Sequence, residues 1–220
     1  MLGDLRSEKA TRTAAAACGI LGPVFLVIYF AAPAAASWPY AGASPERLIA
    51  YAAANAWLFY AGAWFQATGT LLSVIFFLAL ADAARALHTF WGSVLLITAG
   101  SLLAVVLVEA AFLVAVPIAA EAGDKATVAT SFALSNGVFA RVFPLAPASG
   151  SYIALGAVLL RTNVLPRTLA QAALGLGVAF ELAGLLAIFT SIGLVAAIAL
   201  SVIQVLWIVA SAIALVRTSG

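Results

Sequence analysis

The chain has 220 residues, of which 65% are hydrophobic and 8% are charged, and its net charge is +2. Soluble domains carry about 25% charged residues, so a soluble fold could not hide this much apolar surface. The net charge is small and the basic residues are dispersed, which argues against a nucleic-acid partner. Composition therefore predicts an integral membrane protein whose immediate partner is the lipid bilayer.

Six apolar stretches follow one another along the chain, and each is long enough to cross a hydrocarbon core of about 30 Å. They lie near residues 13–33, 57–82, 91–118, 136–160, 168–190 and 192–216. With short connections they occupy nearly the whole sequence. We therefore predict an all-α membrane protein in which residues 1–220 form a single domain, a bundle of six transmembrane helices.

The basic residues indicate how this bundle is oriented. Six spans place both termini on one side, and seven lysines and arginines of the termini and the even-numbered loops share that side, against two in the odd-numbered loops. This bias predicts a bacterial inner-membrane protein with both termini in the cytoplasm, including the N-terminal segment 1–12. Residues 6–36 also resemble a cleavable signal peptide, but we expect an uncleaved first span.

Two longer segments on the opposite side have helical features. Ser44-Pro45-Glu46 is a helix start, with Ser44 as the N-cap, proline at the first helical position and an acid near the positive end of the helix dipole. Residues 121–135 are interpreted as a second short surface helix before the fourth span. We therefore expect short surface helices that cover the outer face or rest on the interface as connectors.

Polar residues inside the spans are the candidates for a site. Glu109, Arg141 and Glu181 lie in apolar stretches, where an unpaired charge costs several kcal/mol. At about 1.5 Å per residue, Gln66, Glu109 and Glu181 fall on one level, with Gln204 slightly deeper. We interpret these five residues as ligand-binding or proton-binding candidates. Arg141 lies nearer the outer end of its span, where its long side chain could reach either the carboxylates or the headgroups.

Two interpretations of this cluster remain open. In the structural one, Arg141 pairs with Glu109 or Glu181, and the other acid is hydrogen-bonded to Gln66 or Gln204, so that polar contacts only hold the bundle together. In the functional one, the residues form a pocket, open to the outer side, for an anion, a proton or a polar headgroup. Either way, Arg141 and at least one of the acids should face the bundle interior, within direct or one-water hydrogen-bonding reach. We expect Glu181 to be the more sensitive acid, because small residues surround it.

The fourth span contains Pro144 and Pro147, followed by Gly150. Each proline removes a backbone donor and clashes with the preceding turn, so we predict a kinked or broken helix there. Freed backbone at membrane depth occurs in transporter binding sites and also in purely structural spans.

Other chemical signals are absent from the sequence. The only histidine, His88, has no ligand at metal-binding spacing, and the only cysteine, Cys18, lies in the first apolar stretch. No catalytic residue, metal site or cofactor is predicted.

The chain resembles a broad family of uncharacterised bacterial six-helix membrane proteins, widespread in actinobacteria and grouped as a domain of unknown function. The resemblance rests on Ile20-Leu21-Gly22-Pro23, on Tyr51-Ala52-Ala53-Ala54-Asn55-Ala56 and on the segment from Leu160-Arg161 to Leu165-Pro166-Arg167. It implies six helices with cytoplasmic ends, and it supplies no activity or site residues.

Three functional hypotheses remain. The first is a non-enzymatic membrane protein, either an accessory subunit that packs against other membrane subunits or a second copy, or a binding protein for a small ligand or lipid. The second is a small transporter or proton-coupled carrier that uses the Glu/Arg cluster. The third is an intramembrane enzyme, for which two acids could supply acid–base chemistry but no nucleophile or metal site accompanies them.

Overall fold

The computed structural model of the protein describes residues 2–39, 42–190 and 192–217, with side chains from Ala10 onward except at residues 33 and 34. All regular structure in these residues is helical. The elements are α1 (Leu2–Ala35), α2 (Pro45–Ala54), α3 (Ala56–Ala83), α4 (Phe90–Glu121), α5 (Lys125–Arg141), a π-helical segment (Pro144–Ser149), α6 (Gly150–Leu159), α7 (Arg167–Phe189) and α8 (Ile192–Arg217).

Six stretches of these helices are long and apolar enough to cross a membrane. Five are provided by α1, α3, α4, α7 and α8, and the sixth is formed by α5, the π-helical segment and α6 together. The prediction of a six-helix membrane protein is therefore confirmed. We call the end of the bundle that carries α2, the α4–α5 turn and the α7–α8 turn the α2 end; α1 begins and α8 ends at the opposite end.

The short helix α2 begins as its sequence predicts. The Ser44 side chain accepts a hydrogen bond from the backbone N–H of Arg47 at 3.3 Å, and Pro45 occupies the first turn. Leu48 and Ala52 are buried on the side of α2 that packs against α4 and α5. This surface helix therefore rests on the α4–α5 hairpin.

The prediction of a second short surface helix over 121–135 is wrong. Asp124 caps the start of α5 by accepting hydrogen bonds from the N–H groups of Ala126 and Thr127 at 3.1 and 3.0 Å. From there one helix continues to Arg141. It continues because the chain has no proline in this stretch and because Val128, Phe132 and Phe139 keep one apolar face against the bundle.

The predicted kink lies where the prolines are. After α5 the chain enters the π-helical segment, in which Leu145 leaves the helical region with φ −64° and ψ −142°. The N–H of Ala148 donates to the carbonyl of Phe143 at 3.1 Å, and the Ser151 hydroxyl donates to the carbonyl of Pro147 at 2.6 Å. The bond from Ala148 thus satisfies the Phe143 carbonyl, which Pro147 would leave without a donor, and the Ser151 hydroxyl adds a side-chain bond within the bent segment.

A ladder of aromatic side chains fills the bundle interior on the side away from α2. We call Phe139, Phe143, Phe180, Tyr152 and Trp207 the aromatic ladder. Successive ring centroids are 5.5, 5.6, 5.9 and 5.4 Å apart, within the range of favourable ring pairs. The Trp207 indole N–H donates to the carbonyl of Leu169 at 2.8 Å, which fixes the last ring. The ladder joins α5, the kink, α6, α7 and α8 into one packed core.

Glycine allows α1 and α3 to cross at close range. A Cβ atom added to Gly22 would lie 2.8 Å from the carbonyl oxygen of Gly69, and one added to Gly69 would lie 2.9 Å from the carbonyl oxygen of Gly22. Real Cβ atoms do not approach that closely, so both positions require glycine. Close backbone approach is the usual role of small residues between transmembrane helices.

Candidate functional site

Glu109 lies at the centre of a buried polar cluster that draws on four helices. Its side chain is 2% exposed. Oε1 accepts hydrogen bonds from the Tyr29 hydroxyl on α1 at 3.2 Å and from the Ser135 hydroxyl on α5 at 3.4 Å. Oε2 accepts a hydrogen bond from the side-chain amide of Gln66 on α3. Helices α1, α3, α4 and α5 are therefore tied together at one carboxyl group.

The position of Glu109 follows from the helical repeat of α4. Leu102, Val106, Leu113 and Val116 are buried, and Glu109 lies between them at the spacing of a single helix face. An acid therefore occupies a place on the apolar stripe that packs into the bundle. Rotating α4 so that Glu109 faced outward would also expose these apolar side chains. The packing of the whole helix therefore keeps Glu109 buried.

All three hydrogen-bond partners of Glu109 are neutral groups. In this arrangement the carboxyl group only accepts, as an ionised carboxylate does, and the Gln66 carbonyl oxygen is buried without a partner. If the amide turned over, that oxygen could instead accept a hydrogen bond from the O–H of a neutral Glu109. Gln66 can thus serve both protonation states of the acid, although each orientation leaves one amide group unpaired.

A cavity of about 180 Å³ lies beside Glu109, and we call it the Glu109 cavity. Glu109, Tyr29, Ser135 and Asn136 contribute polar groups to its wall. Most of the remaining wall is apolar, and its larger members are Phe30, Trp38, Leu58, Leu113, Phe132, Phe139, Leu194 and Ile198. Few convergent polar groups in an apolar enclosure are typical of a small-molecule site.

A second cavity of about 300 Å³ lies next to the first, between α2, α5 and the α7–α8 turn. Phe132, Asn136 and Leu194 line both cavities and therefore form the partition between them. Of the residues that the structure describes, Arg141 is the one ionisable residue that lines the second cavity, which we call the Arg141 chamber.

Arg141 does not pair with either acid in the part of the chain that the structure describes. It is the last residue of α5, its side chain is exposed, and its Nε donates to the carbonyl of Ala187 on α7 at 3.1 Å. The direct pairing of Arg141 with Glu109 or Glu181, which one of the two interpretations required, is therefore not observed, and for Glu109 the reason is the helix register. Six residues separate Arg141 from Ser135, which is the α5 residue at Glu109, so Arg141 lies about 9 Å further along and points elsewhere.

Glu181 and Gln204 also lie apart from Glu109. Glu181 is half-buried on α7 and accepts a hydrogen bond from the Ser149 hydroxyl, at the end of the π-helical segment, at 2.6 Å. Gln204 is buried on α8 and does not hydrogen-bond to either acid among the described residues. Of the residues expected on one level, only Gln66 and Glu109 meet. Glu181 lines neither cavity, and the expectation that it is the more sensitive acid stays a prediction.

Sequence reasoning missed three polar residues of the site. Tyr29 carries a hydroxyl group within the first predicted span. A polar aromatic side chain inside an apolar stretch was the signal that could have found it. Ser135 was assigned to the last position of a surface segment and Asn136 to the first position of the fourth span, because the start of that helix was placed too late. A continuous helical repeat from Val128 to Phe139 was the signal that could have found them.

The described residues contain no group of three or more His, Cys, Asp and Glu side chains that could hold a metal ion. Comparison with known proteins adds no relative: no family model, no curated protein and no solved structure matches the chain. The geometry of the two cavities is therefore the basis for a functional conclusion.

Proposed function

We propose that the protein is a membrane-embedded binding protein for a small amphipathic molecule. The apolar part of the ligand occupies the Glu109 cavity, and its hydrogen-bond donor or ammonium group contacts the Glu109 carboxyl group. The observation that carries this proposal is the buried acid in the wall of an otherwise mainly apolar cavity.

The size and charge of the cavity limit the ligand. An apolar cavity of about 150 Å³ in another protein binds benzene, so about 180 Å³ accommodates one ring or a short alkyl chain. None of the hydrogen-bond partners of Glu109 is a cation. A ligand ammonium group would therefore supply the opposite charge that a buried carboxylate otherwise lacks.

This proposal has a direct test with a one-ring amine. Binding of 4-fluorobenzylamine to the protein in lipid nanodiscs is measured by fluorine NMR, with empty nanodiscs as the background. We expect Glu109→Gln to weaken binding by roughly tenfold or more, the loss that follows when one charged hydrogen bond is removed. Gly62→Leu should block the cavity, because Gly62 lines it and a Cβ there would make ordinary van der Waals contacts of 3.6 Å with Leu113 and Tyr29, so the larger side chain is added without a backbone clash.

Two matched variants control this test. Gly100→Leu adds the same side chain at an exposed α4 position with no atom within 4 Å of its Cβ, and Glu181→Gln removes a carboxylate that lines neither cavity. Both should bind the amine as the unmodified protein does. Equal binding by Gly62→Leu would contradict the proposal.

A proton-coupled carrier is the second candidate, and Gln66 favours it. Its amide can donate to an ionised Glu109 or, turned over, accept from a neutral one, so the acid can change protonation without losing this neighbour. Proteoliposomes containing a pH-sensitive dye test it. When a gradient of the same amine is imposed, the internal pH should change more in vesicles that contain the unmodified protein than in protein-free vesicles. Glu109→Gln should abolish that additional change.

Three further proposals concern the setting of the protein. Both termini face the cytoplasm of a bacterial inner membrane, as the distribution of basic residues favours. The chain belongs with the uncharacterised six-helix proteins that it resembles. A role as an accessory subunit is a weaker proposal, because the exposed apolar faces of α7 and α8 are what lipid alone requires.

A further inference from the structure

The Arg141 chamber has a geometry that the proposed function does not use. It lies at the α2 end, on the face of α5 that carries Ala133, Gly137 and Arg141, and Asn136 and Phe132 separate it from the Glu109 cavity. Small side chains make it wide, since seven of its lining residues are alanine or glycine on α5, on α7 and before α2: Gly42, Ala43, Ala129, Ala133, Gly137, Ala140 and Ala187. Arg141 contributes the charged group to the lining of this space.

The chamber is placed at the edge of the hydrocarbon core. Helix α7 has 23 residues and is about 34 Å long, which matches the thickness of that core. Ala187, whose carbonyl oxygen holds Arg141, lies two residues before the end of α7. Phe189 at that end and Ile192 after the turn are 82% and 61% exposed, as residues in contact with lipid chains are. Arg141 therefore lies at the edge of the hydrocarbon core, from which its long side chain can reach the level of the lipid phosphates.

The charge of the chamber selects the occupant. Among the described residues Arg141 is the one ionisable group that lines the chamber, and it gives this wall a positive charge. The Nε–H of Arg141 donates to the Ala187 carbonyl, and this contact orients the plane of the guanidinium group. The two terminal nitrogens of the guanidinium are separate donors that point away from Nε. A fixed guanidinium fork is suited to two oxygens of one phosphate.

We propose that the Arg141 chamber binds the phosphate of an anionic phospholipid from the leaflet at the α2 end. The glycerol headgroup occupies the space beside Gly137, and the acyl chains run along the exposed apolar residues at the α7–α8 turn. A zwitterionic lipid carries the same phosphate but adds a cationic group beside Arg141, so it binds more weakly. The site is separate from the Glu109 cavity and does not depend on the function proposed for it.

Native mass spectrometry of the protein released from vesicles with equal amounts of phosphatidylglycerol and phosphatidylcholine tests this site. We expect the unmodified protein to retain one phosphatidylglycerol molecule in preference to phosphatidylcholine. Arg141→Gln should reduce that preference by roughly tenfold, the effect of losing one charged contact. Arg141→Lys should retain part of it, because a point charge remains while the fork is lost. Gly137→Leu fills the chamber without changing the charge, and it should also release the lipid.

The controls separate a built site from general charge attraction and from a free anion. Arg217→Gln removes the same charge from the last turn of α8 at the other end, and it should leave retention unchanged. Excess inorganic phosphate should not displace the lipid. The proposal is overturned if Arg141→Gln and Gly137→Leu both retain phosphatidylglycerol while their melting temperatures match the unmodified protein. It is also overturned if Arg217→Gln loses as much lipid, or if phosphate competes.

Discussion

The side-chain amide of Gln66 on α3 donates a hydrogen bond to the Glu109 carboxyl group on α4, and both residues are almost completely buried. Neighbouring antiparallel helices are thereby joined by polar groups within a hydrophobic bundle. The contact also turns one carboxyl oxygen toward Gln66 and leaves the other to Tyr29 and Ser135. It sets the orientation of the acid at the wall of the Glu109 cavity.

We expect Gln66 and Glu109 to be coupled energetically. A double-mutant cycle of Gln66→Leu and Glu109→Leu, measured by reversible unfolding in detergent, should give a coupling of about 1 kcal/mol, in the range of hydrogen bonds between transmembrane helices. Gln204→Leu supplies the control, because Gln204 is equally buried but makes no contact with Glu109. Its effect and that of Glu109→Leu should simply add.

A second prediction concerns the crossing of α1 and α3. Gly22→Ala should lower the melting temperature, because its Cβ would lie 2.7 Å from the Ser73 hydroxyl and 2.8 Å from the Gly69 carbonyl oxygen. The helices would have to separate and lose packing along their length. Gly100→Ala introduces the same methyl group into open space and should be neutral or slightly stabilising. Equal melting temperatures for the two variants would show that the helices do not cross this closely.

Much of this fold follows from local sequence. The length and apolarity of the spans specify six membrane helices, and Pro144 and Pro147 specify the kink, because both depend on neighbouring residues alone. Ser44 specifies the start of α2 for the same reason. The meeting of Gln66 with Glu109 agrees with a depth count along two helices.

The site was less accessible to sequence reasoning because it depends on rotation and register between helices. Depth left open whether Arg141 reaches the carboxylates or the headgroups, because the direction in which a helix turns each side chain decides this. Arg141 points toward Ala187, and Ser135 points toward Glu109. The cavities are still less visible in sequence, since each is a space between four or more segments that no single segment encodes.

The cap of α5 should give a local dependence on pH. Hydrogen bonds from the hydroxyl and N–H groups of Thr127, and from the N–H of Ala126, lower the pKa of Asp124 below its usual value. The folded state therefore gains stability above the pKa of the unfolded chain, about 3.9, and loses it as the pH falls through the lower folded-state pKa. Hydrogen-exchange protection at residues 126–128 should decrease in acid.

Two variants isolate this effect at Asp124. Asp124→Asn keeps a capping oxygen without a titrating group, so protection should persist in acid. Asp124→Ala should have low protection at every pH. If the unmodified protein and Asp124→Asn lost protection in parallel, another group would be responsible.

The orientation of the protein can be tested by labelling single cysteines in a Cys18→Ala background. We expect a membrane-impermeant thiol reagent to label Ala122→Cys in intact cells, because this exposed residue follows α4 at the α2 end. Ser7→Cys should react only after the membrane is opened. Labelling of the second position alone in intact cells would reverse the assignment of the two sides.

The aromatic ladder has a consequence for the membrane that carries this protein. An ion needs a hydrated path to cross a bilayer. On the side of Phe139 that faces away from α2, the interior is occupied by rings that contact one another through to Trp207. Both cavities lie on the α2 side of these rings, and Phe139 itself forms part of the Glu109 cavity wall. In this conformation the bundle is an electrical insulator, and bilayers containing it should show no conductance beyond that of the lipid.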